Sequence, residues 1–308
     1  MEHPIIRLAG YQGPGSILTS ALTRLADGIH AFPEGGACET EIDVTANGES
    51  ANALFASVEN GSRQVCYMAS GYLSARVPEL GVLDLPFSVT DRAQALAALD
   101  GTAGQLLAAA VARRTDYHVL GFWDNGFRHI SNSVHPIRSP HDCQGLVIRT
   151  LDNAGYRAAL AALGFEPRTT DVKDLVRVVS TGEVQAQENP LTNLMSFSLW
   201  RHHPFVSLTS HYFGVLLLVC NRAWFDELTP AQKDALSSAA KEATRHQRKL
   251  AAEADALALS ELRGNGVQVL APQELDMASM RQATLPVSRS ARQSLPPALL
   301  QAYLGEPA

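Results

Sequence analysis

Apolar positions in the first 70 residues alternate between two periods. Residues 5–9 form a short β-rich run, residues 10–15 a glycine-rich loop, and Ser16 an N-cap ahead of Leu18, Leu22, Leu25 and Ile29 on one helical face. Ile42 and Val44 alternate with polar neighbours as in a second strand. Ser50 then caps a helix carrying Leu54, Phe55 and Val58 that stops at Gly61, and residues 65–68 give a third strand. This β-α-β-α-β order predicts a mainly parallel sheet covered by helices.

The pattern changes after residue 91 and then repeats. A helical region over 91–114 leads to a strand at 117–123. A second series follows: a strand at 146–149, a helix over 154–163 ended by Gly164, a helix over 172–179, and a strand at 184–187 entering Glu188-Asn189-Pro190. Two such series predict two α/β lobes with a cleft between them, a favoured place for a small molecule. Beyond Leu228, Thr229 with Gln232 forms a capping box, Pro230 takes the first helical position, and Gly264-Asn265-Gly266 supplies the stop. The single helix between them would be about 51 Å long, longer than one lobe is wide, so it is expected to lie across both as a spine.

Composition narrows the function. With 25 Lys+Arg against 31 Asp+Glu the net charge is −6, and no cationic run offers a nucleic-acid groove. Wholly apolar stretches such as residues 215–220 are far short of the roughly 20 residues of a membrane-crossing helix. Met1-Glu2-His3-Pro4 has no basic start, which leaves two readings open on the residues alone: a cytosolic protein, or an exported chain whose signal peptide is already removed. Cys38, Cys66, Cys143 and Cys220 stand outside metal or redox spacings and read as core thiols.

Motifs for catalysis are missing. No G-x-S-x-G, P-loop or H-E-x-x-H pattern occurs, and Gly10-x-x-Gly13-x-Gly15 lacks the dinucleotide spacing. His202, His203 and His211 have no spaced partners for a metal site, and Trp123, Trp200 and Trp224 read first as core. No cofactor is implied. Arg149 ends a predicted strand, where open α/β sheets face their ligand, and its planar fork matches a carboxylate in a bidentate way. Asn189 ends another strand with an amide that can donate and accept, and Arg128 lies near the lobe crossover.

Several segments together resemble the solute-binding proteins of tripartite ATP-independent periplasmic (TRAP) transporters, the dicarboxylate-binding-protein-like family. They run from Pro78-Glu79-Leu80-Gly81 through Leu85-Pro86-Phe87, Gly126-Phe127-Arg128, Gly145-Leu146-x-Ile148-Arg149, Ala162-Leu163-Gly164 and Gln187-Glu188-Asn189-Pro190 to Leu208-Thr209-x-His211. The resemblance covers roughly residues 5–250. It implies a two-lobed, periplasmic-binding-protein-like α/β fold with strand exchange, a ligand cleft between the lobes and a long helix spanning both. The implied lobes are residues 1–125 with 214–254, and 126–213 with 255–308. It further implies a periplasmic, non-enzymatic receptor in which Arg149 pairs with an organic-acid carboxylate, Asn189 helps hold it, and Arg128 adds a polar contact. The closed form would be delivered to the membrane permease subunits.

The choice of ligand is expected to fall on Tyr11, Ala69, Ser70 and Val172, with Tyr212 and Trp123 as further candidate wall residues. Small or aliphatic side chains at Ala69 and Val172 favour a less polar monocarboxylate over a polyhydroxylated sugar acid. Two alternatives stay open on the residues alone. One is a carboxylate-processing α/β enzyme with His211 or Asp84 as general base, and the other a sensory module whose closed form docks on a signalling partner.

Overall fold

The computed structural model describes residues 5–31 and 37–306; the reading of Met1-Glu2-His3-Pro4 lies outside them. The first lobe opens with β1 (Ile6–Ala9), α1 (Ile17–His30), β2 (Cys38–Glu41), α2 (Ala51–Glu59) and β3 (Val65–Ala69). Ser16 and Ser50 cap α1 and α2 as expected, accepting from Leu18 N at 3.1 Å and Ala53 N at 3.1 Å. The second strand differs from expectation. β2 ends at Glu41 because the Asp43 carboxylate accepts from Thr45 N at 3.0 Å, turning the chain into a 3-10 segment over Val44–Asn47. Val44 is therefore buried by a turn and not by strand pairing.

Helices α3 (Arg92–Asp100) and α4 (Thr102–Arg114) lead into β4 (Tyr117–Asn132). The second series is β5 (Val147–Thr150), α5 (Ala154–Ala162), β6 (Glu166–Thr169), α6 (Leu175–Ser180), β7 (Ala186–Pro190) and α7 (Leu191–Ser196). It is followed by β8 (Phe205–Asn221), α8 (Arg222–Glu227), α9 (Pro230–Gly264), β9 (Gln268–Leu270), α10 (Met277–Gln293) and α11 (Pro297–Leu304). The expected helix over 172–179 begins as a 3-10 turn, Val172–Asp174, capped by Asp171, and becomes α-helical only at Leu175. β6 carries no run of apolar residues and was invisible to the periodicity.

The strand order β2-β1-β3-β8-β4-β7-β5-β6 shows how the lobes share one sheet. β4 and β8 form a long antiparallel ribbon paired from Tyr117↔Asn221 to Asn132↔Phe205. One end of the ribbon pairs β3 through β8, and the other pairs β7 through β4. Each lobe thus keeps parallel strands of its own and borrows half of each ribbon strand. The strand expected at 117–123 continues to Asn132 because β8 covers its whole length. At the crossover Gly126 faces Gly214 with φ of +87°, a left-handed conformation that favours glycine.

α9 is the expected spine. Its Thr229 and Gln232 form the capping box, and at 35 residues it spans about 52 Å. Leu236, Ala239, Ala240 and Ala243 enter the first lobe's core, while Ala258 and Leu262 pack with Leu191, Leu194 and Val206 of the second. Midway, Gln247 clamps Asp124 by accepting from its N–H at 2.8 Å and donating to its carbonyl at 2.7 Å. The chain then returns: Leu295, Leu299 and Tyr303 pack in the first lobe's core, although residues 255–308 were expected with the second lobe. The four cysteines are free thiols, and burial pushes Cys38 up to about 11 and Cys143 up to about 12.

Candidate ligand site

The parallel strands of both lobes point their carboxyl ends at one place. Tyr11 and Gln12 follow β1, Ala69 ends β3, Arg149 and Leu151 lie at the end of β5, and Asn189 at the end of β7; all line a single cavity between the lobes. Arg128 and Asn125 reach it from the ribbon, Val172 from the 3-10 turn ahead of α6, Leu175 from the start of α6, Asn193 from α7 and Phe197 from its C-cap. The cavity holds about 30 Å³, room for about one water. A larger molecule enters only if the lobes, or side chains such as Tyr72 and Phe197, part.

The two arginines there differ in their pairing. Arg128 and Glu188 form a buried ion pair, and the Arg128 Nη2 also donates to the Glu188 carbonyl at 2.8 Å and to Asn189 Oδ1 at 3.2 Å. Burial works to raise the Glu188 carboxyl, but Arg128 and His211 outweigh it and hold it at about 2. Thr150 Oγ1 donates to the same carboxylate at 3.0 Å. Arg149 is 3% exposed and forms no ion pair among the described residues. Its Nε and Nη2 donate to the Thr170 carbonyl at 3.0 and 2.6 Å. Burial draws its guanidinium pKa down, opposed by Tyr72 and Glu188. With one cation neutralised and one unmatched, the site carries a buried positive charge that has no counter-charge among the described residues.

Of the candidate residues, Arg149, Asn189, Arg128, Tyr11, Ala69 and Val172 meet at this cavity, and three do not. Trp123 is fully buried in the first core, donating from Nε1 to Thr244 Oγ1 at 3.1 Å and stacking on Tyr67. Tyr212 stacks on Tyr156 with ring centroids 4.1 Å apart, away from the wall. Ser70 is 2% exposed and begins a 3-10 turn, its carbonyl accepting from Ser74 Oγ at 3.2 Å. The wall residues missed from sequence include Gln12, Asn125, Asn193 and Tyr72. Asn193, in the first turn of α7, donates to Asn189 Oδ1 at the end of β7 at 3.0 Å, a contact made across the strand-to-helix junction.

The candidate bases are placed elsewhere. Asp84 accepts from Ser74 Oγ at 2.6 Å and Asn153 Nδ2 at 2.7 Å, and His211 Nδ1 lies 2.7 Å from Thr209 Oγ1; neither lines the cavity. His203 is buried and His202 exposed. Among the described residues no group of three or more His, Cys, Asp or Glu side chains is arranged to hold a metal. Among those residues, too, no single helix is long and apolar enough to cross a membrane.

Two lobes sharing a ribbon and a spine helix, closing around a buried unpaired guanidinium, define a two-lobed solute-binding protein. The family model for bacterial extracellular solute-binding proteins, family 7, matches residues 9–294, and the chain belongs to that family, whose members are receptors and not enzymes. The chain is 34% identical over 221 residues to the 2,3-diketo-L-gulonate-binding periplasmic protein of Escherichia coli strain K12, covering 72% of this chain and 67% of that one. A TRAP periplasmic solute-binding protein from Polaromonas sp. JS666, solved with D-erythronate, superposes with a TM-score of 0.92 at 25% identity, covering 99% of this chain and 100% of that one. The sugar-acid-binding protein of Advenella mimigardefordensis, solved with galactonate, also gives 0.92 at 24% identity, covering 99% and 98%. The resemblance read from the segments around Arg149 and Asn189 is thus shown at the level of family and fold.

Proposed function

We propose that this protein is an extracytoplasmic receptor that holds the carboxylate of a hydroxylated monocarboxylic acid against Arg149 and passes the loaded form to a TRAP-type membrane permease. The observation that carries the reading is Arg149 itself, buried without an ion pair among the described residues while Arg128 beside it is neutralised by Glu188. One unmatched guanidinium suits one carboxylate. Acids are preferred over neutral analogues because a neutral group leaves that charge buried and unpaired.

The wall chemistry supports hydroxyl groups on the rest of the ligand. Expectation of a less polar acid rested on Ala69 and Val172, yet Gln12, Asn125, Asn189 and Asn193 bring four amides to the same cavity. Amides donate and accept, and are costly to bury against methylene groups. The relatives named above bind or were solved with sugar acids, which agrees. The bodies that close are the two expected lobes, with the C-terminal residues from about Leu295 moving with the first lobe.

A thermal-shift screen tests this with D-erythronate, D-galactonate, succinate, benzoate and the amide of each hydroxy acid. A ligand at 100 times its dissociation constant stabilises by about 2.7 kcal/mol. Stabilisation by a hydroxy monocarboxylate and not by its amide supports the reading. Equal response to acid and amide refutes the role of Arg149, and a response to benzoate alone refutes the hydroxylated class.

A further inference from the structure

One unbroken series of side-chain hydrogen bonds runs from the first lobe, across the cavity wall, into the second. Ser16 Oγ donates to Gln12 Oε1, Gln12 Nε2 to Asn193 Oδ1 at 3.4 Å, and Asn193 Nδ2 to Asn189 Oδ1 at 3.0 Å. Asn189 Nδ2 then donates to Gln187 Oε1 at 2.6 Å, Gln187 Nε2 to Ser131 Oγ, and Ser131 Oγ faces His203 Nδ1 at 2.9 Å. Ser16, Gln12, Asn193, Asn189, Gln187, Ser131 and His203 are all buried. Every link but the last joins one amide or hydroxyl to another, and such groups can donate in either direction. Something must choose.

The group that chooses is the one unable to accept. Arg128 Nη2 donates to Asn189 Oδ1, so the Asn189 oxygen must face it and its nitrogen must face Gln187. Reversing Gln187 would then set two N–H groups against each other at the 2.6 Å contact. Its nitrogen is therefore committed to Ser131, whose hydroxyl proton is left for His203 Nδ1. In the other direction the Asn193 nitrogen must face Asn189, which commits its oxygen to Gln12. The far end agrees independently: Ser16 Oγ already accepts from Leu18 N at 3.1 Å as the α1 cap, so its proton is available to Gln12.

We propose that Arg128 sets the direction of this entire series, with Gln187, Ser131 and His203 as positioning residues that hold Asn189 so that it meets the ligand as a hydrogen-bond donor. Both lone pairs of the Asn189 oxygen are occupied, by Arg128 and Asn193, and one N–H remains for the cavity. The inference deepens the carboxylate reading, since that donor stands on the same wall as Arg149. It also assigns a tautomer. His203 accepts at Nδ1 and so carries its proton on Nε2, although Nε2 is buried with no partner among the described residues to favour that choice. Burial takes the ring's pKa down to about 4, so it is neutral at pH 7.

The test is the histidine side-chain ¹⁵N spectrum of the ligand-free protein at pH 7, with the His203 signals assigned by their loss in His203→Asn. The wild type is expected to show the Nε2–H tautomer. Asn189→Asp removes the donor toward Gln187, so Gln187 turns its nitrogen to the new carboxylate and its oxygen to Ser131. Ser131 then donates to Gln187 and accepts from His203, which switches to Nδ1–H. Gln187→Glu produces the same switch with Asn189 and Arg128 untouched, so either variant decides if the other fails to fold. An Nδ1–H wild type, or a mixture, overturns the proposal at Ser131 and His203, because the Ser131 oxygen would then accept from both Gln187 and His203; an Nε2–H ring unchanged in a folded variant overturns the coupling. Because no ligand is added, failure here is distinct from failure of the carboxylate reading, which the acid-and-amide comparison judges.

Discussion

Replacing Arg149 by Met separates binding from folding. The guanidinium is 3% exposed, is in no ion pair among the described residues, and donates to the carbonyl of partly exposed Thr170. Met fills comparable space without charge. Exchanging an unpaired buried charge for an apolar side chain is neutral or favourable to the folded state, less about 1 kcal/mol for the two hydrogen bonds lost at the Thr170 carbonyl, which water can reach. The ligand-free variant should therefore unfold within about 1 kcal/mol of wild type. In the complex the variant leaves the ligand carboxylate buried without its partner, a loss of about 3–5 kcal/mol. That is a rise in Kd of between about a hundredfold and several thousandfold. Chemical denaturation of the free proteins and calorimetric titration with the hydroxy acid selected by the screen measure both. A Kd within tenfold of wild type, or a variant that loses stability in step with affinity, would refute the assignment of Arg149 as a charge kept for the ligand.

Other substitutions probe the frame around the site. Glu188→Gln strands Arg128 and should cost about 3–5 kcal/mol at neutral pH by denaturant unfolding. Since the Glu188 carboxyl is held at about 2, wild-type stability from this pair is lost as pH falls below about 4.5, and the variant's deficit should shrink there. Asp84 behaves in the opposite sense. Burial lifts it to about 6 from 3.8, against Ser74 and Asn153, so the folded state binds the proton more tightly and wild type loses stability as pH rises from about 4 through 6. Asp84→Asn should therefore gain on wild type between pH 4.5 and 7; Asp124, also lifted to about 6, is common to both proteins and cancels. A constant difference across that range would count against the buried carboxylate. Gly104→Ala should lower stability by about 1–3 kcal/mol without changing ligand affinity, because its Cβ would lie 1.9 Å from the Leu99 carbonyl oxygen and 3.2 Å from the Phe122 ring.

What could be read from the chain follows from which interactions are local. Caps, stops and helical faces are written within one turn, so Ser16, Ser50 and the Thr229 box located α1, α2 and the 35-residue α9 from sequence. Arg149 and Asn189, read at the carboxyl ends of predicted strands, both line the cavity. The length of β4 was not legible: only its pairing with β8, far along the chain, carries the strand past Trp123. The same limit hid most of the wall. Gln12 gives no local sign that it meets Asn193, 181 residues later, and Trp123 and Tyr212 looked as suited to a pocket as to a core until the packing of Tyr67, Tyr156 and α9 assigned them. Sequence spacing therefore places Arg149 at the cavity, since that side chain sits on one strand end. The amides that would judge the rest of the ligand are brought together only by folding both lobes around it, and the side chains that orient those amides, Ser131 and His203, lie one layer further out.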